Sequence, residues 1–378
     1  MNYRYLHRFQ TVRCLFYIAL FICFLGADGH AHGQNGDILL SNCTIYPMDS
    51  DKIIEHGFIY IDDGSIVSFG QGEYSQLASR TINLQGSSVL PAFIDMHRES
   101  IPDEEKLRAL YASGITTIAV RQTSDSLFGG WSRLVQLLPD SLGGPQIITN
   151  ELDYQINLNH YFDQDADLAK YDPFKQKHNF YRIRQVFDGT TTDSQEKSRS
   201  LEQIISYAQR SGSFYFYTHS LSELLILSRL ISEYNIQGYF GGANHISELL
   251  ELTLDPHTPL VVVGPSIFSR HNRFNDEYVV PTRLSELAHK YALATFQTSE
   301  SWLSLLDQVR LLNSYGVTEF EALRSVTGNP GEHMSHVGSF GLIEDGARAN
   351  LVIFDGNPMD VDSEVSLLIV DGKVIDLR

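Results

Sequence analysis

The chain has 378 residues, of which 43% are hydrophobic and 20% are charged, and its formal net charge is −18 at pH 7. This composition excludes a disordered chain, because it supplies enough apolar residues for a sizeable core. The acidic balance argues against nucleic acid as a partner, because binding to phosphates needs clustered Lys and Arg.

The N-terminal segment has the pattern of a secretory signal. Arg4, Arg8 and Arg13 precede an apolar run over 14–26, and small residues follow it. This run is shorter than the roughly 20 residues that a membrane-spanning helix needs. We therefore interpret residues 1–31 as a cleaved signal peptide, which predicts an exported protein, periplasmic or extracellular, that is not an integral membrane protein after cleavage. The alternative is an uncleaved anchor.

Cysteine usage fits a fold that does not depend on disulfide bonds. Cys14 and Cys23 lie inside the predicted signal, so cleavage leaves Cys43 as the remaining cysteine of the chain. One thiol forms neither an internal disulfide nor a cysteine-rich zinc site.

Short apolar strands separated by turns follow in the segment 36–90. The turn Asp62-Asp63-Gly64 separates two of them and is a strong hairpin signal, because glycine readily adopts a positive φ angle. The same pattern returns over 339–378, with a turn at Asp371-Gly372. The two chain ends are predicted to share one sheet and to form a small composite β-domain.

Strands alternate with helical patterns across residues 91–338. Examples are the helix Leu107–Ser113, the strand Ile115–Val120 and the helix Ser222–Tyr234. Repeated βα units predict parallel strands, either in a doubly wound sheet or in a closed barrel, and the length fits a typical barrel. The predicted fold class is α/β, a (β/α)8 TIM-type barrel plus the small β-domain formed by the N- and C-terminal segments. The stretch 123–192 is expected to be irregular, with a long loop over the barrel mouth.

Motifs near both chain ends carry a family resemblance. They are IYIDDGSIVSFG (59–70), INLQG (82–86), VLPAFIDMH (89–97), EALRSVTGNP (321–330) and GLIEDGARANLV (341–352). With these motifs in this order, the chain resembles the amidohydrolase superfamily, most closely its imidazolonepropionase-like and prolidase-like branch. The resemblance implies a barrel that hydrolyses amide or other C–N bonds with one or two divalent metals, which activate water and polarise the scissile carbonyl.

The metal-binding positions that the resemblance implies carry mostly other residues here. The family holds its metal with an H-x-H pair after the first barrel strand, two further histidines, an Asp after the last strand, and often a bridging Lys or Glu. In this chain the first pair becomes His97 and Glu99, two residues apart on one side of a strand. At the fifth strand Tyr217 stands where a ligand belongs, and His219 would point to the same side, one step along.

The remaining two positions also depart from the family pattern. Gly241 and Gly242 stand where the sixth strand should supply a histidine. After the eighth strand Ser299 takes the place of the Asp, and Glu300 follows it. No lysine matches the bridging position. The metal centre, as the family builds it, is therefore predicted to be degenerate, with no cofactor or at most a single divalent metal such as zinc.

Each leftover polar residue has two interpretations. His97 is either a remnant metal ligand or a strand-end residue that makes a hydrogen bond, since zinc needs three or four ligands. Glu99 either binds a ligand or pairs with Arg98 or Arg121. Tyr217 is a candidate binding residue.

The last two candidates follow the fifth and eighth strands. His219 is either a binding residue or a buried histidine with satisfied hydrogen bonds. Glu300 is the candidate catalytic residue, a general base that replaces the lost Asp. Its alternative role is that of an acid in the first turn of a helix.

Three functions remain open at this stage. The first is a non-catalytic pseudoenzyme that binds a small molecule or a related protein subunit. The second is a hydrolase of non-peptide C–N bonds with an altered mononuclear metal site, using His97, Glu99, His219 and Glu300. The third is a metal-free binding protein for a small solute, with aromatics such as Tyr154 at its mouth. The degenerate metal site favours the first.

Overall fold

The computed structural model describes residues 37–121, 126–158, 173–190, 204, 206–207, 212–218, 221–242, 260–268, 284, 291–296 and 303–377. The predicted signal peptide lies outside the described residues, and so do the candidates His219 and Glu300. No helix among the described residues is both long and apolar enough to cross a membrane.

The described residues form strands and helices in the alternation typical of a mixed α/β fold. The strands are β1 (Ile38–Ile45), β2 (Ile54–Asp62), β3 (Ser65–Gln71), β4 (Arg80–Asn83), β5 (Ser88–Pro91), β6 (Phe93–Arg98), β7 (Ile115–Val120), β8 (Phe128–Trp131), β9 (Arg133–Gln136), β10 (Gln146–Thr149), β11 (Tyr154–Asn157), β12 (Ser213–Tyr217), β13 (Gln237–Gly241), β14 (Val261–Val263), β15 (Tyr291–Leu293), β16 (Leu351–Phe354), β17 (Val365–Val370) and β18 (Lys373–Asp376). The helices are α1 (Glu104–Ala112), α2 (Pro173–Phe187), α3 (Leu221–Tyr234), α4 (Leu305–Ser314), α5 (Glu319–Arg324) and α6 (Gly328–His333).

Helix starts follow capping side chains. Helix α1 begins a turn earlier than its apolar pattern predicts, because the Asp103 carboxylate accepts a hydrogen bond from the Lys106 backbone N–H at 3.0 Å. Ser304 and Asp307 form a reciprocal capping box before α4. Each cap satisfies backbone N–H groups that the first helical turn leaves without a partner.

Strands from both chain ends share one eight-stranded sheet, in the order β18-β17-β16-β5-β1-β2-β3 with β4 paired to β1. The two ends meet where β16 runs antiparallel to β5, with Val352 opposite Leu90. In the predicted hairpin turn Asp63 and Gly64 both have positive φ angles, 46° and 74°. This geometry suits a two-residue turn between twisted strands. The exact domain boundaries remain a prediction.

Two further sheets contain the βα units. One has the order β10-β9-β7-β6 and the other β15-β14-β13-β12-β11-β8. Strands β11 to β15 pair in parallel, as do β6 and β7. All residues of β6 and β7 are buried, as expected for parallel strands that are covered on both faces. The α/β prediction is therefore confirmed at the level of a mixed α/β fold.

The expectation of an irregular stretch over 123–192 is wrong where the structure describes it. Strands β8 to β11 and helix α2 lie there. Each of these strands has four residues, which is too short for an alternating pattern to stand out in the sequence. Tyr154, considered for a ligand-binding mouth, is buried on β11 and packs edge-on against Trp131 at 5.0 Å between ring centroids.

Short links join the four-stranded and the six-stranded sheet at both sides. Between β9 and β8, the backbone of Ser132 donates to the Asp153 carbonyl at 2.9 Å and accepts from Leu152 at 3.0 Å. Between β6 and β15, the Asp95 carboxylate accepts the Thr295 backbone N–H at 3.1 Å and its hydroxyl at 2.6 Å. Side chains of both sheets, among them Ile94, Ala119 and Val262, also pack into one buried cluster.

Candidate functional site

His97 lies near the C-terminal end of β6, and its ring is buried among aromatic side chains. Its Nδ1 atom is 2.7 Å from the hydroxyl oxygen of Tyr215. Its ring stacks on Phe296, with centroids 4.4 Å apart, and the ring of Tyr217 lies 5.7 Å away. One of the two ring nitrogens that could bind a metal is therefore engaged by a tyrosine.

Tyr215 fills the space beside the end of β13. Its ring is fully buried, and a Cβ atom placed on Gly241 would lie 1.6 Å from its hydroxyl oxygen and 2.2 Å from Cζ. Real Cβ atoms essentially never come within 3.0 Å of such a neighbour. The family resemblance implies a histidine on this strand. A histidine at position 241 would be incompatible with the present position of Tyr215.

Two further glycines accommodate the other rings around His97. A Cβ atom on Gly242 would lie 3.0 Å from the ring of Tyr217, and one on Gly264 would lie 2.5 Å from the ring of Phe296. Phe296 has a φ angle of 51°, in a region that bulky residues rarely adopt. The glycines at the ends of β13 and β14 thus allow three aromatic rings to pack into the strand ends.

Arg121 directly follows β7 and carries a buried positive charge. Its Nη2 atom is 2.8 Å from Oδ2 of Asp153, and both side chains are at most 1% exposed. The guanidinium also donates to the Tyr239 hydroxyl and to the Met96 carbonyl, and its carbon lies 4.0 Å from the ring centroid of Tyr215. The Tyr239 hydroxyl in turn donates to Asp153. This cation therefore ties together strands from both sheets.

Burial and Arg121 together determine the protonation of this interior. Burial alone lowers the pKa of Arg121, but Asp153 and the hydroxyls of Tyr239 and Tyr215 outweigh it and raise the pKa above its ordinary value. Burial lowers the pKa of His97 well below its ordinary value, and the charge of Arg121 lowers it further. The site therefore holds a permanent guanidinium cation beside a neutral imidazole.

The carboxylate of Asp95 is also fully engaged. Besides Thr295, it accepts the backbone N–H of His97 at 3.2 Å and pairs with Nη1 of Arg98 at 3.4 Å. Arg98 itself donates to the Thr295 hydroxyl at 3.0 Å. The Asp95 side chain therefore connects β6 to the segment that follows β15.

Glu99 is exposed, and among the described residues it makes no ion pair. The predicted alternative of a pair with Arg98 or Arg121 is wrong, because those guanidinium groups pair with Asp95 and Asp153, which are buried with them. Glu99 does lie near Tyr217. Burial raises the pKa of Tyr217 to about 12, and the charge of Glu99 contributes.

The structure thus brings His97, Tyr217 and the neighbouring Glu99 to one strand-end region. Sequence reasoning did not single out Phe296, Tyr215, Tyr239 or the Arg121–Asp153 pair as site residues. The sequence did contain a signal for Arg121 as a site residue. A charged residue directly after an apolar parallel strand lies at the C-terminal end of the sheet, where the sites of α/β proteins are found.

The described residues do not fit the divalent metal that the resemblance implies. No group of three or more His, Cys, Asp and Glu side chains among them is arranged to hold a metal ion. His97 is hydrogen-bonded to Tyr215 and stacked on Phe296, while Asp95 and Asp153 are neutralised by arginines. A fixed guanidinium beside His97 also opposes the binding of a second cation.

The burial of neutral His97 predicts a loss of stability in acid. The unfolded chain takes up a proton below the ordinary histidine pKa of 6.5, whereas the folded state does not. The free energy of unfolding should therefore fall as the pH decreases, by about 1.4 kcal/mol per pH unit for this group. Urea unfolding at about pH 7, 6 and 5 should show a shallower slope for His97→Gln than for the native sequence.

His333 provides a parallel case for the same measurement. Burial, followed by the charges of Arg121 and His336, lowers the pKa of His333 to about 3. His333 is half-buried, and His333→Gln should also reduce the slope. An unchanged slope for His97→Gln would contradict a buried neutral imidazole at position 97.

Comparison with known proteins gives matches only at the level of structure. No protein-family model matches this sequence, and no curated protein is similar to it. The chain is similar to an amidohydrolase from Thermotoga maritima MSB8, with a TM-score of 0.72 and 17% identity over 90% of this chain and 100% of that one.

Two peptidase structures are also similar to it. A prolidase complexed with N-methylphosphonate-L-proline has a TM-score of 0.56 and 16% identity over 90% of this chain and 99% of that one. A beta-aspartyl dipeptidase from Fervidobacterium islandicum AW-1 has a TM-score of 0.52 and 11% identity over 90% of this chain and 96% of that one. At these identities the similarity concerns the fold. The chain therefore shares the fold of these amidohydrolase and peptidase structures, which is consistent with the resemblance to the amidohydrolase superfamily inferred from the sequence motifs.

Proposed function

We propose that this chain is an exported protein that uses the amidohydrolase fold to bind a small molecule or a related protein subunit, without the family's metal-dependent hydrolysis. Fold similarity by itself does not decide activity, because function depends on the residues of the site. The support comes from the side chains that occupy the strand ends and from the apolar N-terminal segment over 14–26.

The two inner sheets are proposed to form one closed (β/α)8 barrel. The parallel strands β11 to β15, the pair of β6 and β7, and the links at Ser132 and at Asp95–Thr295 all support this arrangement. In such a barrel the C-terminal strand ends form the mouth where sites are built. His97, Tyr217 and Arg121 would then all lie at or just below this mouth.

The observation that carries the proposal is the position of Tyr215. Its ring occupies the space that a side chain at 241 would need, and its hydroxyl is hydrogen-bonded to His97. One aromatic residue therefore engages the first expected ligand and excludes a histidine at 241. A tyrosine at this depth stabilises the interior through burial and through its contact with Arg121.

Metal content is the test of this proposal. The protein, purified without an affinity tag and with the substitutions His30→Ala and His32→Ala, should be supplemented with zinc and manganese, dialysed and measured by elemental analysis. We expect well below one metal ion per chain, and no metal-dependent hydrolysis of amide, ureido or cyclic imide substrates.

The matched comparison is His97→Ala in the same background. Metal close to one ion per chain in the parent, lost in His97→Ala together with hydrolysis, would overturn the proposal. It would instead support a mononuclear hydrolase that recruits Glu99, His219 and Glu300. Unchanged trace metal in both proteins would direct the search to ligands and partners.

A further inference from the structure

Helix α5 begins with two carboxyl groups whose hydrogen bonding is incomplete. Glu319 and Glu321 are both half-buried, and in each the Oε1 atom is buried without a hydrogen-bond partner among the described residues. Glu104 and Glu105, in the first turn of α1, are by contrast exposed. A buried carboxylate oxygen without a donor costs free energy, because it loses its water and gains no hydrogen bond. The start of α5 therefore disfavours the charged form of its own carboxyl groups.

Helix α5 connects the eight-stranded sheet with the inner strands. Nε of Arg324 donates to the Met48 carbonyl at 3.1 Å, and its Nη2 atom pairs with Oδ1 of Asp51 at 2.8 Å. Both partners lie in the segment between β1 and β2 of the eight-stranded sheet. Directly after α5, the Val326 carbonyl accepts the backbone N–H of Ile94 on β6 at 2.8 Å. A change in the packing of α5 therefore acts on both parts of the fold.

The surroundings of Glu321 contain charges of both signs and a buried hydroxyl. Arg324, one turn along the helix, is paired with Asp51. Burial raises the pKa of Glu321, the charge of Arg324 lowers it, and the charge of Asp51 raises it further. On β15 the hydroxyl of Tyr291 is fully buried and also has no hydrogen-bond partner in the described part of the chain. Burial, and after it the charge of Glu321, raises the pKa of Tyr291.

Glu319 has similar surroundings on the side of β1. The buried ring of Tyr46 packs against α5, with its centroid 6.0 Å from that of Phe320. Burial raises the pKa of Glu319, the Tyr46 hydroxyl lowers it, and the charge of Asp360 raises it. Asp360 also acts on Arg310 of α4, the cation on this side. In the folded protein this carboxyl group therefore takes up a proton more readily than in the unfolded chain.

We propose that Glu319 and Glu321 make α5 a pH-sensitive latch, which holds the eight-stranded sheet and the inner strands together more tightly as the pH falls. When the two carboxyl groups are ionised, they keep buried oxygens without donors and repel Asp360 and Asp51. Protonation removes the repulsion and the cost of a partly buried charge. The effect is opposite in sign to that of His97, and it goes beyond the function proposed for the strand ends.

The variants Glu319→Gln and Glu321→Gln test the latch, because glutamine has the shape of a protonated carboxyl group and no charge. The cost of ionisation is complete above the raised pKa of the folded state and disappears as the pH falls towards the ordinary pKa of 4.5. We expect each variant to raise the midpoint of urea unfolding at pH 8, with a smaller gain at pH 5. Hydrogen exchange over 319–324 at pH 8 should slow by at least about twofold.

Glu105→Gln is the matched control, because it removes the same charge from the first turn of another helix, where the side chain is exposed. It corrects for the general effect of one negative charge fewer in a chain of net charge −18. The control should leave the midpoint and the exchange of 319–324 unchanged. An unchanged or lowered midpoint for both α5 variants at pH 8, a gain equal to that of the control, or a gain undiminished at pH 5 would overturn the latch. Metal content does not enter this experiment, so its failure is distinguishable from failure of the proposed function.

Discussion

Asp153→Asn is expected to lower the free energy of unfolding by about 3–5 kcal/mol, the usual cost of removing one partner from a buried ion pair. Arg121 and Asp153 are at most 1% exposed, so the substitution leaves a guanidinium charge uncompensated inside the protein. The pKa of Arg121 lies above its ordinary value, so loss of the proton cannot relieve the charge. The midpoint of urea unfolding at neutral pH measures the effect.

Two further variants show whether the loss of stability comes from the buried ion pair. Asp103→Asn changes an exposed aspartate that pairs with Lys106 at 3.0 Å, and asparagine is also a good helix cap, so the midpoint should stay unchanged. The double variant Arg121→Met with Asp153→Leu removes both charges and should recover most of the lost stability. If Asp153→Asn is as mild as Asp103→Asn, Arg121 is not the buried cation described above.

Gly241→Ala is expected to destabilise the protein by about 3 kcal/mol or more, at the upper end of the range for overpacked cores. The added Cβ atom would lie 1.6 Å from the Tyr215 hydroxyl oxygen, so the ring or the end of β13 must move. Tyr215 is hydrogen-bonded to His97 and lies under the guanidinium of Arg121. Displacing it therefore disturbs the whole strand-end region.

The control for this substitution is Gly70→Ala in β3. There a Cβ atom would meet only the Phe58 ring at 3.5 Å, and the φ angle is not in the positive region, so the change should be small. Tyr215→Val should partly suppress Gly241→Ala, making the double variant more stable than the sum of the single effects predicts. Additive effects would show that residue 241 and Tyr215 do not compete for space.

The competition between Tyr215 and residue 241 has a consequence for any attempt to place a histidine on β13. Placing a histidine at 241 by a single substitution should fail, because the aromatic ring already fills the space. The family's arrangement at this strand would require removal of Tyr215 first. A side chain at position 241 and the present position of Tyr215 therefore exclude each other.

Local patterns in the sequence predict many of the strands and helices of the fold. The apolar run Ile115–Val120 predicts β7, and Asp63-Gly64 predicts a hairpin, because each depends on neighbouring residues alone. The motif at 89–97 correctly indicated His97 as a strand-end residue. The short strands β8 to β11 were missed because four residues carry little periodicity.

The chemistry of the strand ends depended on contacts that no local pattern encodes. Arg121 and Asp153 are 32 residues apart, and His97 and Tyr215 are 118 apart, yet both pairs are in direct contact. A histidine in the sequence is equally compatible with a metal ligand and with a hydrogen-bonded core residue. Only its burial and its neighbours distinguish the two.

The sequence by itself determined the family resemblance and the order of most strands and helices, and it predicted a degenerate metal site. Only the tertiary structure decided what occupies the space instead: aromatic rings accommodated by Gly241, Gly242 and Gly264, and a guanidinium paired with Asp153. The physical reason is that secondary structure follows from local propensity and periodicity, whereas the packing of a shared interior depends on which distant side chains meet there.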